Sequence, residues 1–535
     1  MIPWRKTGTG REVPPGAAVV VIGGGIAGLA TAALLASRGY SVDLIEQNDE
    51  LGGRVGSLER DGFRFDTGAS WWLMPEVFDH FFNLIGTSTE AELELVALDP
   101  SYRVFFEGHE QSVDVRPDRE HNIGLFESLE PGSGIQLKNY LQSARRTYDI
   151  ALRRFLYSNF DSSSSFLHPE VVRNAPLLGT LMRQSLQNFV AERFADRRTR
   201  QILGYPTVFL GSAPDRAPSL YHLMSWLDLG DRVLYPMGGF TRLIDVIAEL
   251  ARGHGARIHT ATAATQIVTV AESGGARVAG VDCVRDGRQI HYSADVVVGA
   301  ADLHHLETDL LPPSLQTHPR QVWESRSPGP GAVLAMLGVE GELAELTHHS
   351  LFFTADWAAN FGDIFGPQAR VPDPASIYVC APSVTDDSVA PQGCTNLFVL
   401  IPVPADVSIG AGGADGGGDE LVERTVDAAI DRVADWAKIP DLRARIRIRQ
   451  TVGPQDFAQR FNAWRGGALG LEHTLSQSAF LRPRNVSSKV GGLLYAGAST
   501  VPGVGLPMCL ISAELVLKRL TGDRSSGPYS EKGEE

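Results

Sequence analysis

Three glycines near the start of the chain have the spacing of a phosphate-binding turn. Gly23, Gly25 and Gly28 form a G-x-G-x-x-G pattern between the apolar run 19–22 and the alanine- and leucine-rich stretch 26–38. In such a pattern the first glycine permits a tight turn, the second lets a pyrophosphate approach the backbone, and the third packs a helix against a strand. The pyrophosphate then lies at a helix N-terminus, where free N–H groups and the helix dipole favour an anion.

The residues that follow favour a flavin over a nicotinamide cofactor. A second predicted strand, 40–46, ends on Glu46, where dinucleotide-binding folds place an acid on a ribose hydroxyl. A glycine pair that includes Gly53 comes soon afterwards, together with Arg54, which can neutralise a phosphate. Because an NAD domain would continue with further strand–helix units, this sequence predicts FAD.

Strand–helix patterns of the same kind return in the middle and at the end of the chain, with stretches of another kind between them. The prediction is an α/β fold (α+β overall) with a discontinuous Rossmann-like FAD-binding domain and an inserted mixed domain. In chain order we expect an N-terminal extension (1–15), a first FAD-binding segment (16–110), a helical segment (111–228), a second FAD-binding segment (229–304), a segment of strands and helices (305–485), a third FAD-binding segment (486–522) and a disordered tail (523–535). The family resemblance given below implies that 111–228 associate with substrate and membrane and that 305–485 form a substrate domain.

Composition excludes some partners. The net charge of -15 argues against nucleic acid and against electrostatic docking on anionic lipid, so any membrane contact is expected to be apolar. The four cysteines, Cys283, Cys380, Cys394 and Cys509, have no close pair, which fits a reducing cytoplasm and indicates no metal site.

Three uncharged runs reach the length of a membrane span, namely 16–37, 388–405 and 490–513. A spanning helix needs about 20 apolar residues in a row. Glycines interrupt the first run, prolines the second, and both the third, so each is a poor continuous helix. We therefore expect neither a transmembrane helix nor a signal peptide.

Several segments resemble a known family. The stretches "GGGIAGL", "IEQNDELGGRVGS" and "GFRFDTGASWWLMP" resemble the flavin-binding start of the amine oxidase and phytoene desaturase superfamily. Later segments, above all "APSVTDDSVAPQGC" and "STVPGVGLPM", are similar in the same order to bacterial-type phytoene desaturases, and "GASWWLMPEVFDHFF" and "LYHLMSWLDL" look most like actinobacterial members. The resemblance covers nearly the whole chain. It implies non-covalent FAD, an apolar polyene substrate and peripheral attachment to the cytoplasmic face of the cell membrane.

The resemblance also implies a role for particular positions. The pyrophosphate would lie on the glycine turn, the ribose on Glu46, and Ala498 stands where many superfamily members, outside the desaturase branch, have an acid. The implied cofactor-binding residues are Gly23, Gly25, Gly28, Glu46, Gly53, Arg54, Gly68, Ala264 (adenine), Gly497 (second flavin loop) and Gly505, Leu506, Pro507 and Met508 (a helix N-terminus at the pyrimidine end of the flavin).

No other group stands out as catalytic or metal-binding. The adjacent pairs His304–His305 and His348–His349 need not converge, and Asp386–Asp387 lies in a loop of the kind that is usually solvated. The aromatic residues Trp71, Trp72, Phe78, Phe81 and Phe82 fit an apolar tunnel and a plain core equally well.

The expected reaction needs few ionisable groups. Desaturation of a hydrocarbon removes a hydride to flavin and a proton from the neighbouring carbon, and a polyene delocalises the cation, so a strong base is unnecessary. The sequence thus predicts conversion of phytoene to lycopene by successive hydride transfers, with oxygen or a quinone reoxidising the flavin. We expect an apolar entrance on 125–228 or 305–485. The alternatives are a sister enzyme (a C30 or hydroxylated carotenoid desaturase, an oxygenase or ketolase, or a saturase) and an anchored flavin carrier without turnover.

Overall fold

A computed structural model describes residues 12–161, 164–272 and 275–530, with the side chains of 164 and 165 left out. Its strands are β1 (Ala18–Ile22), β2 (Ser41–Ile45), β3 (Ser57–Arg60), β4 (Phe63–Asp66), β5 (Leu95–Ala97), β6 (Tyr102–Phe106), β7 (Val113–Val115), β8 (Leu234–Pro236), β9 (Arg257–His259), β10 (Ala263–Glu272), β11 (Gly275–Arg285), β12 (Arg288–Ser293), β13 (Val296–Gly299), β14 (Gly331–Glu340), β15 (His349–Phe353), β16 (Ile377–Cys380), β17 (Cys394–Val403), β18 (Ile446–Val452), β19 (Val490–Gly491) and β20 (Leu493–Tyr495).

Helices lie between many of these strands. They are α1 (Ile26–Ser37), α2 (Pro75–Leu84), α3 (Thr89–Glu92), α4 (Arg119–Leu129), α5 (Ser133–Ala151), α6 (Ser164–Leu167), α7 (Pro169–Arg183), α8 (Leu186–Ala191), α9 (Arg197–Gly204), α10 (Phe240–Gly253), α11 (Leu303–Thr308), α12 (Arg320–Glu324), α13 (Trp357–Phe365), α14 (Glu420–Trp436), α15 (Leu442–Arg445), α16 (Pro454–Phe461) and α17 (Leu506–Thr521).

A five-stranded parallel sheet draws its strands from distant regions of the chain. Its order is β20-β13-β1-β2-β9, with Val21 opposite both Val298 and Leu44. The apolar runs of β1 and β13 are buried, as parallel strands with both faces covered require. The α/β fold predicted from the sequence is therefore confirmed. Strands β1, β13 and β20, which come from the start, the middle and the end of the chain, are neighbours in this sheet.

Helix α1 explains the uncharged stretch at residues 19–37. The helix packs against α10 and α17, and its residues from Ile26 to Ala36 are buried. A helix that is covered on all sides is apolar all round, so its composition reflects burial within the protein. In the described residues no helix is both long and apolar enough to cross a membrane.

A second sheet, of seven mixed strands, forms the other wall of the molecule. Its order is β18-β14-β17-β16-β15-β6-β7. Successive residues of β14 point to opposite faces: Val333 packs in a cluster with Val422 of α14, whereas Leu334 packs in the cluster on the other face. That second face looks into the central cavity.

The end of the chain differs from the predicted disordered tail. The buried Lys518 on α17 donates hydrogen bonds from Nζ to the carbonyl oxygens of Ser525 (2.8 Å) and Gly527 (2.7 Å), and the Tyr529 N–H donates to Glu514. Residues 523–530 thus pack on α17, because a buried ammonium needs acceptors and this segment supplies them. Residues 531–535, and residues 1–11 of the predicted extension, lie outside the described residues.

Candidate active site

A cavity of about 840 Å³ begins at the carboxyl edge of the parallel sheet and continues under the seven-stranded sheet. Every cofactor-binding residue predicted from the sequence lines it except Gly28. The carboxyl edge of a parallel sheet is the usual ligand position in α/β folds.

The glycine turn is built by close backbone approaches. Gly23 has φ +109, and a Cβ on Gly28 would lie 1.9 Å from the carbonyl oxygen of Gly23. Gly28 therefore sits behind the turn, in the helix-packing role that the motif assigns to its third glycine. Gly53 has φ +58, and a Cβ on this residue would lie 3.3 Å from the Cα of Gly25. Gly68 is equally constrained, because a Cβ there would meet the backbone of residue 54 at 1.8 Å.

Glu46 is buried at the end of β2 and is anchored by the turn itself. One carboxylate oxygen accepts a hydrogen bond from the Gly24 N–H at 2.6 Å, and the other accepts from the N–H and the Nδ2 of Asn48 at 2.8 and 2.7 Å. The remaining lone pairs can accept from hydroxyl groups in the cavity. Ala264 on β10 lines the same end of the cavity, close to Thr262, whose N–H donates to the Glu46 carbonyl oxygen.

Arg54 presents an unfilled donor to the cavity. Its Nε is buried and has no hydrogen-bond partner among the described residues, while Nη2 lies 3.4 Å from the Gly467 carbonyl oxygen and 3.8 Å from Asp302. Burial lowers the pKa of Arg54, an effect that the Asp302 carboxylate opposes. An anion held by this guanidinium would fill the open donor and offset the burial.

A second helix N-terminus also lines the cavity. Helix α17 begins at Leu506 after Gly505, which has φ +123, and carries Pro507 and Met508 in its first turn. The Gly497 N–H donates to the Ser512 Oγ at 2.9 Å, which fixes the preceding loop against this helix. First-turn amides have no partner inside a helix, and the dipole makes this end positive. The residues present therefore fit a flavin dinucleotide, with one helix for the pyrophosphate and another for a ring that becomes negative on reduction.

The remainder of the cavity is lined mainly by apolar and aromatic side chains. Trp71 lines it, stacks on His349 at 4.3 Å and contacts Phe209 at 5.2 Å, whereas Trp72 is buried and stacks on Phe78 at 3.9 Å. The aromatic cluster that the sequence left ambiguous thus divides, with Trp71 in the cavity wall and Trp72, Phe78, Phe81 and Phe82 in the core.

The cavity opens through a rim of exposed apolar side chains. Phe166 and Phe480 both line the cavity, are 37% and 47% exposed, and lie with ring centroids 5.3 Å apart. Leu167 and Leu481 beside them are 70% and 47% exposed. We call these four residues the rim patch; they come from the two segments on which an entrance was expected.

The structure corrects one member of the acidic pair and brings one of the histidine pairs together, while Asp387 is exposed as expected. Asp386 is buried, not solvated, because it accepts hydrogen bonds from the Gly238 N–H (2.7 Å) and the Tyr235 hydroxyl (3.2 Å). The rings of His348 and His349 do converge, with centroids 4.6 Å apart and one potential ligand atom of each within 4.8 Å of Cys380. Strand β15 begins only at His349, so strand alternation does not separate the pair.

Other groups behave as small or buried residues. All four cysteines are free, and burial raises the pKa of Cys509 to about 12, so it is a neutral thiol in the cavity wall. His304 packs against Trp323 and Trp464, and His305 pairs with Asp309 at 2.8 Å. Sequence reasoning missed His473, which lines the cavity and whose partners lie far away along the chain.

The cavity is lined by a strand end that carries an acid, an arginine with an unpaired donor and two helix N-termini. These features define a dinucleotide-dependent oxidoreductase in which the cofactor site adjoins an apolar compartment. The family model described as flavin containing amine oxidoreductase matches residues 26–516, and the chain belongs to that family. Its cofactor is accordingly a flavin.

Relatives with described activities cover almost the whole chain. The chain is 40% identical to a carotenoid 3,4-desaturase of Haloarcula japonica over 94% of its own length and 98% of the relative's. It is 34% identical to a zeta-carotene-forming phytoene desaturase of Myxococcus xanthus (94% of each chain) and 30% identical to a 4,4'-diapophytoene desaturase of Staphylococcus haemolyticus (95% and 99%). The likeness to actinobacterial members stays a prediction.

Solved structures share the fold at low sequence identity. An oxidoreductase from Methanosarcina mazei superimposes with a TM-score of 0.59 at 16% identity, covering 94% of this chain and 100% of that one. A redesigned putrescine oxidase gives a TM-score of 0.56 at 14% identity, covering 95% and 98%. These likenesses support the fold alone.

Proposed function

We propose that the protein is an FAD-dependent carotenoid desaturase. One observation carries the proposal: a single cavity joins the dinucleotide site to an apolar compartment that opens through the rim patch. We call the residues of the dinucleotide site (Gly23, Gly25, Glu46, Arg54, Ala264 and the first turn of α17) the cradle. Relatives named as carotenoid desaturases over the full length support it. The FAD is held without a covalent bond by the cradle residues, and the substrate is an apolar polyene.

The cradle residues have separate tasks in this proposal. Glu46 accepts from the adenosine ribose, Ala264 meets the adenine, and the turn at Gly23 and Gly25 with Arg54 holds the pyrophosphate. The first turn of α17 stabilises negative charge at the pyrimidine end of the flavin. When bound, the flavin supplies a two-electron acceptor for hydride.

The apolar compartment does the rest of the work by positioning. Aromatic and aliphatic side chains hold a long hydrocarbon across the flavin and exclude water, which would trap a carbocation. No strongly charged side chain is required at the reacting carbons, because the polyene spreads the positive charge.

Phytoene, taken to lycopene in successive steps, is the first candidate substrate. The 40% identity to a carotenoid 3,4-desaturase favours a second candidate, desaturation of a carotenoid that is already conjugated. Expression in one bacterium that accumulates phytoene and in another that accumulates lycopene separates the two. Formation of lycopene in the phytoene-accumulating host supports phytoene desaturation. More extended polyenes formed only in the lycopene-accumulating host support desaturation of a conjugated carotenoid. Unchanged pigments in both hosts would contradict the proposal. They would favour the alternative that the protein is a flavin carrier that catalyses no reaction.

The substrate of such an enzyme is dissolved in a membrane, so the entrance must face lipid. The rim patch offers that contact, and we propose that the protein attaches peripherally to the cytoplasmic face of the cell membrane through it. Oxygen or a membrane quinone would reoxidise the flavin. Flotation of the protein with carotenoid-loaded vesicles, and its release on mutation of the patch, tests this attachment.

A further inference from the structure

Two histidines and a cysteine meet at the end of a strand pair in the seven-stranded sheet. His349 begins β15 and lies directly opposite Cys380, the last residue of β16, in the antiparallel register. Residues opposite each other in such a pair point to the same face of the sheet, so strand pairing brings these two side chains together. The His348 carbonyl oxygen accepts a hydrogen bond from the Ala381 N–H at 2.8 Å, which holds the other histidine beside the pair. All three side chains are buried, and one potential ligand atom of each lies within 4.8 Å of the other two.

Each imidazole has one buried nitrogen without a hydrogen bond. The Nε2 atoms of His348 and His349 have no partner among the residues that the structure describes. The Tyr378 hydroxyl donates its hydrogen to the Ser70 Oγ at 2.8 Å, so it can only accept from His349 Nδ1, which also lies 2.8 Å away. Nδ1 of His349 therefore carries the hydrogen, and Nε2 is an unprotonated lone pair. Such a buried lone pair is costly, and a bound cation would satisfy it.

The His348 ring is oriented in the same way. Its Nδ1 lies 2.8 Å from Thr385 Oγ1, so Nε2 is again the nitrogen left over. Burial lowers the pKa of His348 to about 3, an effect that the Asp386 carboxylate opposes, and burial also lowers the pKa of His349 well below its usual value. Both rings are therefore neutral, which is the form that binds metals. Metal-binding histidines generally have their second nitrogen hydrogen-bonded to an oxygen, as both rings do here.

A second, small cavity adjoins this cluster. Its volume is about 10 Å³, and His348, Cys380, Ser70 and Asp66 are among the residues that line it. A volume of this size accommodates about one water molecule. One further small ligand can therefore lie next to the three side chains.

The surroundings can balance the charge of a metal ion. Burial, and to a smaller extent the Asp66 carboxylate, raise the pKa of the Cys380 thiol, so the sulfur is protonated until a metal displaces the proton. One thiolate leaves a dication with a single excess positive charge. Asp66, in the wall of the small cavity, and Asp386, close enough to act on His348, lie near enough to offset it.

We propose that His348 Nε2, His349 Nε2 and Cys380 Sγ bind a zinc ion, with a water molecule in the small cavity as the fourth ligand. Imidazole nitrogens and a thiolate are the usual ligands of zinc, and water completes the tetrahedron. Zinc bonds of about 2.0–2.3 Å place neighbouring ligand atoms about 3.3–3.6 Å apart, so side-chain shifts of about 1 Å close the site. Cys380 releases its proton to solvent as the zinc–sulfur bond forms, and no group is oxidised or reduced.

The ion would have a structural role. It would tie the start of β15 to the end of β16 and fix the His349 ring, on which Trp71 of the cavity wall stacks with centroids 4.3 Å apart. The proposed desaturation makes no use of these three ligands, so the zinc site stands or falls independently of it.

Zinc content and X-ray absorption at the zinc edge test the proposal on the flavin-loaded protein, purified from zinc-supplied cells without a metal-affinity step. We expect about one zinc per chain, with one sulfur at about 2.3 Å and two imidazole nitrogens at about 2.0–2.1 Å. Cys380→Ser should lower the zinc content by at least about tenfold, because a serine hydroxyl stays protonated and is a poor zinc ligand. Cys283→Ser, at another buried free cysteine outside the cluster, is the matched control and should keep its zinc. Flavin content should be the same in all three proteins, because the cradle lies elsewhere.

The wild-type protein alone can overturn the proposal. If it holds no zinc after dialysis against zinc and gel filtration, the cluster binds no metal and the small cavity takes water only. A zinc spectrum without sulfur, or zinc retained in Cys380→Ser, would likewise overturn the assigned ligands. Another metal on the same ligands would overturn the choice of zinc. Should Cys380→Ser fail to fold, the wild-type zinc content and spectrum still decide the matter.

Discussion

The carboxylate of Glu46 accepts a hydrogen bond from the backbone N–H of Gly24 at 2.6 Å. This bond ties the end of β2 to the turn that follows β1, so the group proposed to bind ribose also shapes the turn proposed to bind pyrophosphate. Loss of the carboxylate therefore removes a ligand contact and leaves a buried amide without its acceptor.

Glu46→Ala should purify with less flavin. A hydrogen bond to a charged group contributes about 1.5–3 kcal/mol, so the FAD affinity should fall by at least about tenfold. The ratio of flavin to protein absorbance, followed during dilution, measures this. Glu59→Ala on the exposed β3–β4 hairpin is the control, with unchanged flavin content. Equal flavin retention in both variants would contradict the assigned cradle.

Gly28→Ala should destabilise the protein although Gly28 does not line the cavity. The added methyl would lie 1.9 Å from the Gly23 carbonyl oxygen, and overpacking of this kind costs about 1–3 kcal/mol or more. Thermal unfolding of the apoprotein measures the loss. Gly124→Ala in α4, where a Cβ meets no atom within 4 Å, should leave the melting temperature unchanged or raise it. A stable Gly28→Ala protein would contradict the packing described for the turn.

Phe480→Ser combined with Leu481→Ser should weaken attachment to vesicles. Burial of a large apolar side chain in lipid contributes about 1.5–3 kcal/mol, so each substitution should reduce partitioning by about tenfold. Vesicle flotation measures binding, and the flavin content should stay constant. Val384→Ser, which changes another exposed apolar residue that does not line the cavity, is the control. Equal flotation of all variants would exclude the rim patch as the contact.

Asp228 should make stability depend on pH. Burial raises its pKa from 3.8 to about 7, while hydrogen bonds from Tyr102 and Tyr205 act in the opposite sense. A carboxyl group with a raised folded-state pKa binds its proton more tightly when folded, so its contribution is most favourable below pH 4 and declines until pH 7. The difference corresponds to about 4 kcal/mol at most.

The variant Asp228→Asn removes this titration. Its melting temperature relative to wild type should rise between pH 4 and pH 7 and level off above that range. A difference that stays constant across the range would show that Asp228 titrates alike in the folded and unfolded chain.

The features of the site that depend on local spacing were predictable from the sequence. Gly23, Gly25 and Glu46 belong to one strand–helix–strand unit and Arg54 follows it closely, so their separation along the chain determines which of them meet in space. Ala264 and Gly497 came from family resemblance, since nothing in their own surroundings distinguishes them. All of these positions line one cavity, but their contacts with a cofactor stay predictions.

The remaining features depend on contacts between distant segments. Asp386 is buried because Gly238, 148 residues away, donates to it, and His473 is oriented by Leu210, 263 residues away. Neither pairing leaves a repeat or a spacing in the sequence. The division of Trp71 and Trp72 likewise accompanies contacts with distant segments, since Trp72 pairs with Leu234 whereas Trp71 packs on Phe209 and His349.

Anaerobic mixing of the purified, FAD-loaded protein with vesicles that contain phytoene or lycopene is the most direct test of flavin-dependent desaturation. One of these carotenoids should bleach the oxidised flavin absorbance, and one new carbon–carbon double bond should appear for each flavin reduced. A flavin that stays fully oxidised with both carotenoids, in protein that demonstrably binds them, would contradict the proposed function.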